Sequence, residues 1–192
     1  MGYKDAKRDP LYGKDNALVT VQWRDPLLHR PENALIGIMY LGWIGQPKGY
    51  AWHMSPTAAS SPFLNGTDLE PGHTYGCDLV GYEWDTLFQN GATPPGLTVL
   101  GISPAVSHLQ QEETSYTTYY IAPSGALVFA SGSIYWGYAL DDLRVWDTTK
   151  VTLAMRHIPC MAQSHAIPGI QVLMEHVMNA LIITHHTGLT LH

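Results

Sequence analysis

Charge is scarce in this 192-residue chain: Asp, Glu, Lys and Arg together make up 14% of it, against 45% hydrophobic residues. The 10 Lys and Arg face 16 Asp and Glu, for a formal net charge of −6, and nowhere do the basic residues cluster in groups of five or more. A nucleic-acid surface needs a Lys/Arg stripe to neutralise phosphates, so no nucleic-acid partner is expected. Long apolar runs are also missing. Nothing approaches the roughly 20 residues that cross a bilayer, and the first ten residues are polar and charged, unlike a signal sequence. A soluble, cytoplasmic chain without membrane contact is the expectation.

Cysteine is nearly absent. Cys77 and Cys160 stand far apart with no CxxC spacing, which argues against a zinc site or a disulfide framework and makes both ordinary buried or half-buried thiols. The 10 histidines show neither HxH nor HExxH spacing, and His185 and His186 fall near the C-terminus, so no histidine metal cluster is expected.

What remains is enough apolar residue for one packed domain over residues 1–192, with residues 1–10 and 184–192 as exposed tails. Residues 17–23 alternate over β-favouring types and read as an extended segment or strand end. Residues 35–41 form a continuous apolar run of strand length, buried on both faces. From Gly42 to Gly76 the pattern dissolves into Gly, Pro, Ser and Asn with single aromatics, a stretch too long for an ordinary connection. Strands are predicted over residues 79–84 and 97–102, with one helical turn over residues 85–89 between them. Residues 107–115 read as an exposed loop. A hairpin is predicted around Pro123, Ser124 and Gly125. Pro168 opens a docking helix on which Ile170, Leu173, Val177, Met178 and Leu181 recur at three- and four-residue spacing.

The most informative stretch is Gly81-Tyr82-Glu83-Trp84-Asp85, two acids among aromatics at a predicted strand end, where α/β proteins place ligand chemistry. Ser131-Gly132-Ser133 follows a buried strand with small residues that permit close backbone approach. Glu83 is therefore expected to face a cleft shared with Ser131, Gly132 or Ser133, with Tyr82 and Asp85 as further pocket candidates. Plainer roles compete. Glu83 could simply pair with Arg24, Arg144 or a backbone donor, Asp85 could cap the following turn, and the tyrosines could be core residues with satisfied hydroxyls. Cysteine-nucleophile chemistry lacks its strand-to-helix elbow at Cys77, and a serine variant on Ser131 or Ser133 lacks a local histidine.

These blocks, with Val19-Thr20-Val21-Gln22-Trp23-Arg24-Asp25-Pro26, Asn33-Ala34-Leu35-Ile36-Gly37-Ile38-Met39-Tyr40 and residues 122–133, resemble the C-terminal domain family of N,N-dimethylformamidase large (β) subunits. The resemblance implies an α/β fold, a three-layer domain similar to class I glutamine amidotransferases with a mostly parallel central sheet. One helix among five or six strands implies only part of such a domain, strand-rich with a C-terminal docking helix. It also implies hydrolysis of a small amide at a mononuclear iron held by two tyrosines and a glutamate. Glu83 is the residue that carries over as the metal ligand. The ligand tyrosines belong to a region before Met1, so the isolated chain is expected to bind no cofactor and to be inactive without the missing N-terminal part or another subunit. The alternative is a noncatalytic binding module of a multidomain protein, taking a sugar-like ligand or a neighbouring domain on its aromatics.

Overall fold

The computed structural model describes residues 5–44, 49–141 and 166–187. Seven strands fall into three small sheets: β1 (Met39–Trp43) with β4 (Glu83–Thr86), β2 (Tyr50–His53) with β3 (Thr74–Val80), and the meander β5 (Thr98–Val106), β6 (Glu112–Ile121), β7 (Leu127–Ala130). A one-turn helix α1 (Asn33–Ile36) precedes β1, and α2 (Pro168–Thr187) is the one long helix among the described residues. The described residues are thus strand-rich, with a single long helix toward their C-terminal end.

Every strand pairing among the described residues is antiparallel, which corrects the expectation of a mostly parallel sheet. The reason lies in the connections. Parallel neighbours need a crossover of a dozen or more residues, usually a helix, whereas β5, β6 and β7 are joined by hairpins. Residues 107–115 are not a loop throughout: Ser107 and Gln111 close a short turn, with Gln110 at φ 59°, and β6 begins at Glu112. The second hairpin closes through Ala122 and Ala126 as the turn residues predict.

Two further expectations fail for local reasons. The apolar run at residues 35–41 divides because Gly37, at φ 89°, caps α1 and redirects the chain into β1. Leu35 is left 54% exposed, and Tyr40 and Leu41 are exposed as well. Residues 17–23 form no strand, since the Asp9 carboxylate takes the backbone N–H and the hydroxyl of Thr20, and the N–H of Leu11. Asp9 and Ala6 are buried, so the opening residues are not wholly an exposed tail. At the other end, the helix continues to Thr187.

The thiol expectation is also corrected. Cys77, on β3, is disulfide-bonded, and Cys160 lies outside the described residues. Spacing along the chain carries no information about a bond between distant segments.

The main core gathers Trp52, Met54, Phe63, Leu79, Leu100 and Trp136 against Ile170, Leu173 and Val177 of α2. Those three helix residues are fully buried, as their spacing predicts, while Met178 is 52% exposed. Trp52 and Phe63 show what orders residues 49–76: their aromatics turn inward, and the Trp52 indole donates to Thr117 Oγ1 at 3.0 Å. A second, smaller cluster of Ile44, Val80, Trp84 and Ala105 lies behind β4.

Candidate functional site

Strand alternation decides how β4 divides its side chains. Trp84 and Thr86 are buried, and Glu83 and Asp85 point the other way, both half-buried. The register opposite β1 pairs Tyr40 with Asp85 and Trp43 with Glu83, so these residues share the outward face of the ribbon. The other edge of β4 meets the segment after β7: Asp85 donates its N–H to the Gly132 carbonyl at 2.9 Å, and Trp84 bridges Ser133.

Between them opens a cleft of about 370 Å³. Glu83 and Asp85 form one wall, residues 129–134 the other, and Ile36 closes an end. The structure therefore places Glu83 at the start of a strand and brings it together with Asp85, Ser131, Gly132 and Ser133. Tyr82 is not among the lining residues. It is 42% exposed, and its ring lies 6.3 Å from that of Tyr135. Asp85 caps no helical turn, because residues 87–89 carry no helix.

Neither carboxylate has an ion-pair or hydrogen-bond partner for its side chain among the described residues. Arg24, the pairing candidate for Glu83, is engaged elsewhere. Its Nε lies 3.1 Å from Glu32 Oε2, its Nη1 donates to the Tyr40 carbonyl at 2.8 Å, and its guanidinium stacks over Phe88. Arg144 lies outside the described residues. Burial pushes the Asp85 carboxyl above the usual carboxylate range; Arg24 opposes this, and Glu32 and Glu83 add to it. The two acids thus stand side by side, partly withdrawn from water, and the charge of Glu83 adds to what burial does at Asp85.

The serines are occupied. Ser131 Oγ donates to the Ser133 carbonyl at 3.2 Å, and Ser133 Oγ bonds only backbone groups. Among the described residues no histidine activates either hydroxyl. Missing from the sequence reading were Ile36, Phe129 and Ile134 as apolar walls, and the Arg24–Glu32 pair. No periodicity marks them, since they come from a one-turn helix, a strand end and the start of a 3-10 turn.

An iron held by two phenolates and a carboxylate does not fit the described cleft. Its lining offers two acids and no tyrosine. Tyr40, on the same face, has its phenol held above the ordinary range by burial, with Glu83, Glu113 and Tyr82 adding and Arg24 opposing. Among the described residues no three His, Cys, Asp or Glu side chains gather to hold a metal. No described helix is long and apolar enough to cross a membrane.

The chain belongs to the N,N-dimethylformamidase beta subunit-like, C-terminal family, whose model matches residues 1–150. No curated protein matches the chain.

Proposed function

We propose that the chain contributes the acid-lined cleft of a dimethylformamidase-like hydrolase, and that the cleft takes a small linear amide. Family membership supports this reading, and the observation that carries it is the pair of half-buried, unpaired carboxylates on one strand face. Residues two apart on a strand stand about 7 Å apart. That spacing leaves room for a water and a planar amide between them. Ile36, Phe129 and Ile134 suit N-alkyl groups, for which a polar wall would be unfavourable.

Hydrolysis forms a bond from water oxygen to the carbonyl carbon and breaks the C–N bond, and the amine leaves with a proton. In the proposed site Glu83 holds and orients the water through a hydrogen bond to its carboxylate. Asp85, displaced toward its neutral form by burial, is the acid from which the leaving nitrogen takes its proton. The resemblance adds iron in the complete protein, with Glu83 as one ligand and the others from outside this chain, and a three-layer amidotransferase-like architecture of which these antiparallel sheets would be one part.

The test is Glu83→Gln in the full-length protein, followed by dimethylamine release from N,N-dimethylformamide and by elemental analysis. The reading expects hydrolysis to fall by about 10²-fold or more, as for loss of a positioned acid–base group. Iron lost together with activity would make Glu83 a ligand, and activity lost with iron unchanged would place it on the water. Unaltered hydrolysis by the variant would end the reading. An inactive wild-type protein would turn attention to the binding module, for which Trp52 and Trp84 are buried and Tyr82, 42% exposed, is the accessible ring of the region from Trp43 to Trp84.

A further inference from the structure

Ser133 sits in the cleft wall with a hydroxyl that has no capacity left. Its oxygen accepts from the N–H of Gly81 at 2.9 Å and from the N–H of Tyr135 at 3.2 Å, and it donates to the Gly81 carbonyl at 2.8 Å. A serine hydroxyl has one hydrogen and two lone pairs, and all three are used. Gly81 is thereby held by both its N–H and its carbonyl, two residues before Glu83. Two residues after Glu83, the Asp85 N–H is held by the Gly132 carbonyl at 2.9 Å. One short segment thus brackets Glu83 from both sides. The bracket is itself anchored to β6, where Ser115 Oγ donates to the Gly132 carbonyl at 3.0 Å and Thr117 Oγ1 to that of Ser131 at 2.8 Å.

From this geometry we infer that Ser133 is a positioning residue for Glu83, acting through Gly81, and not a nucleophile. The inference rests on the reading of the cleft as the working site. Because the Glu83 side chain has no partner of its own, its direction is set by the backbone that carries it, and Ser133 is the side chain that holds that backbone, beside main-chain bonds from the Tyr135 N–H to the Gly81 carbonyl and from the Ile44 N–H to the Tyr82 carbonyl, both at 2.8 Å. Gly132 cannot share the task with a side chain: at φ 70°, an added Cβ would stand 1.9 Å from the Tyr116 carbonyl oxygen.

The test needs no turnover, so it stands apart from the hydrolase reading. The 192-residue chain and its Ser133→Ala and Ser133→Thr variants are labelled with a carbodiimide and glycine ethyl ester, and the modification rates of Glu83 and Glu112 are followed by mass spectrometry. Ser133→Ala is expected to change the Glu83 rate by about three- to tenfold, the equivalent of one or so lost hydrogen bonds, and to leave Glu112 unchanged. Ser133→Thr is expected to restore the Glu83 rate, since it keeps the hydroxyl and Ser133 has the extended backbone (φ −154°, ψ 140°) that β-branched residues favour. A wild-type Glu83 rate in folded Ser133→Ala, or a threonine variant that behaves as the alanine one does, would overturn the inference. Should Ser133→Ala fail to fold, hydrogen exchange in the wild-type chain decides: the Gly81 amide, whose acceptor is Ser133 Oγ, must be protected, and exchange at solvent rates would overturn it. Labelling of Ser133 by a fluorophosphonate would do so as well.

Discussion

Helix α2 and strand β4 each border buried aromatic side chains, yet different forces hold them. The helix docks through Ile170, Leu173 and Val177, three fully buried side chains in the main core. Each contributes about 1.5–3 kcal/mol of burial, and two side-chain bonds, from Gln171 to the Leu140 carbonyl and from His176 Nδ1 to the Phe63 carbonyl, both at 3.0 Å, are added to that apolar fit. Strand β4 rests on the small cluster of Ile44, Val80, Trp84 and Ala105. It is placed by directional bonds on both edges, to β1 and to the segment at residues 132–133. Apolar burial makes the larger region stable, and polar bonds make the smaller one well positioned. An arrangement of acids that must meet a ligand depends on the second.

The strongest challenge to this contrast is to remove one buried side chain from each region. Trp84→Ala should cost about 3–5 kcal/mol, because the indole is fully buried and its Nε1 donates to Glu113 at 2.8 Å. Leu173→Ala should cost about 2–5 kcal/mol. The decisive measurement is hydrogen exchange of the Asp85 amide, which should quicken in Trp84→Ala and stay unchanged in Leu173→Ala. Equal quickening would show that both regions open as one unit and erase the distinction.

A smaller effect is expected in alkali. Tyr135 lies behind Gly81, and burial, then Tyr138, Asp78 and Tyr82, push its phenol up to about 12. The folded value lies above the unfolded one, near 10. The contribution is therefore fully present below about pH 10 and is lost as pH rises toward 12, by about 2–3 kcal/mol in all. In chemical denaturation across that window Tyr135→Phe should remove this part of the decline, and an unchanged slope would refute it. The smallest effect belongs to Glu32→Gln. The Arg24–Glu32 pair is partly solvated, with side chains 27% and 28% exposed, so the substitution should cost about 0.2–1 kcal/mol. A larger loss would mean that Arg24 holds β1 through the Tyr40 carbonyl more firmly than its exposure suggests.

The parts legible in the sequence were those written in local chemistry. Pro168 and the spacing of Ile170, Leu173 and Val177 specify α2, and Pro123-Ser124-Gly125 specifies a hairpin. The meeting of Glu83 with residues 131–133 followed from apolar runs that stop at small residues, although the single strand read over residues 79–84 breaks at Gly81 and Tyr82, so that Glu83 opens a strand instead of ending one. What failed depended on a partner outside the segment or on a single residue that breaks its pattern. Residues 17–23 have the composition of a strand, but Asp9 claims the Thr20 N–H from eleven residues away. Gly37 splits an apolar run whose periodicity alone could not separate strand from helix. The parallel sheet came from the family resemblance rather than from any pattern in the residues, and the disulfide at Cys77 leaves no trace in local spacing.

Gly132 carries a lesson for mutagenesis. With a left-handed backbone and a carbonyl oxygen where a methyl group would go, it admits no other amino acid without displacing β6. A saturation scan scored by activity alone would rank it beside Glu83, although it has no functional group to contribute. Only a parallel score for folded protein abundance would separate the two, with Gly132 variants vanishing from both assays and Glu83 variants from one.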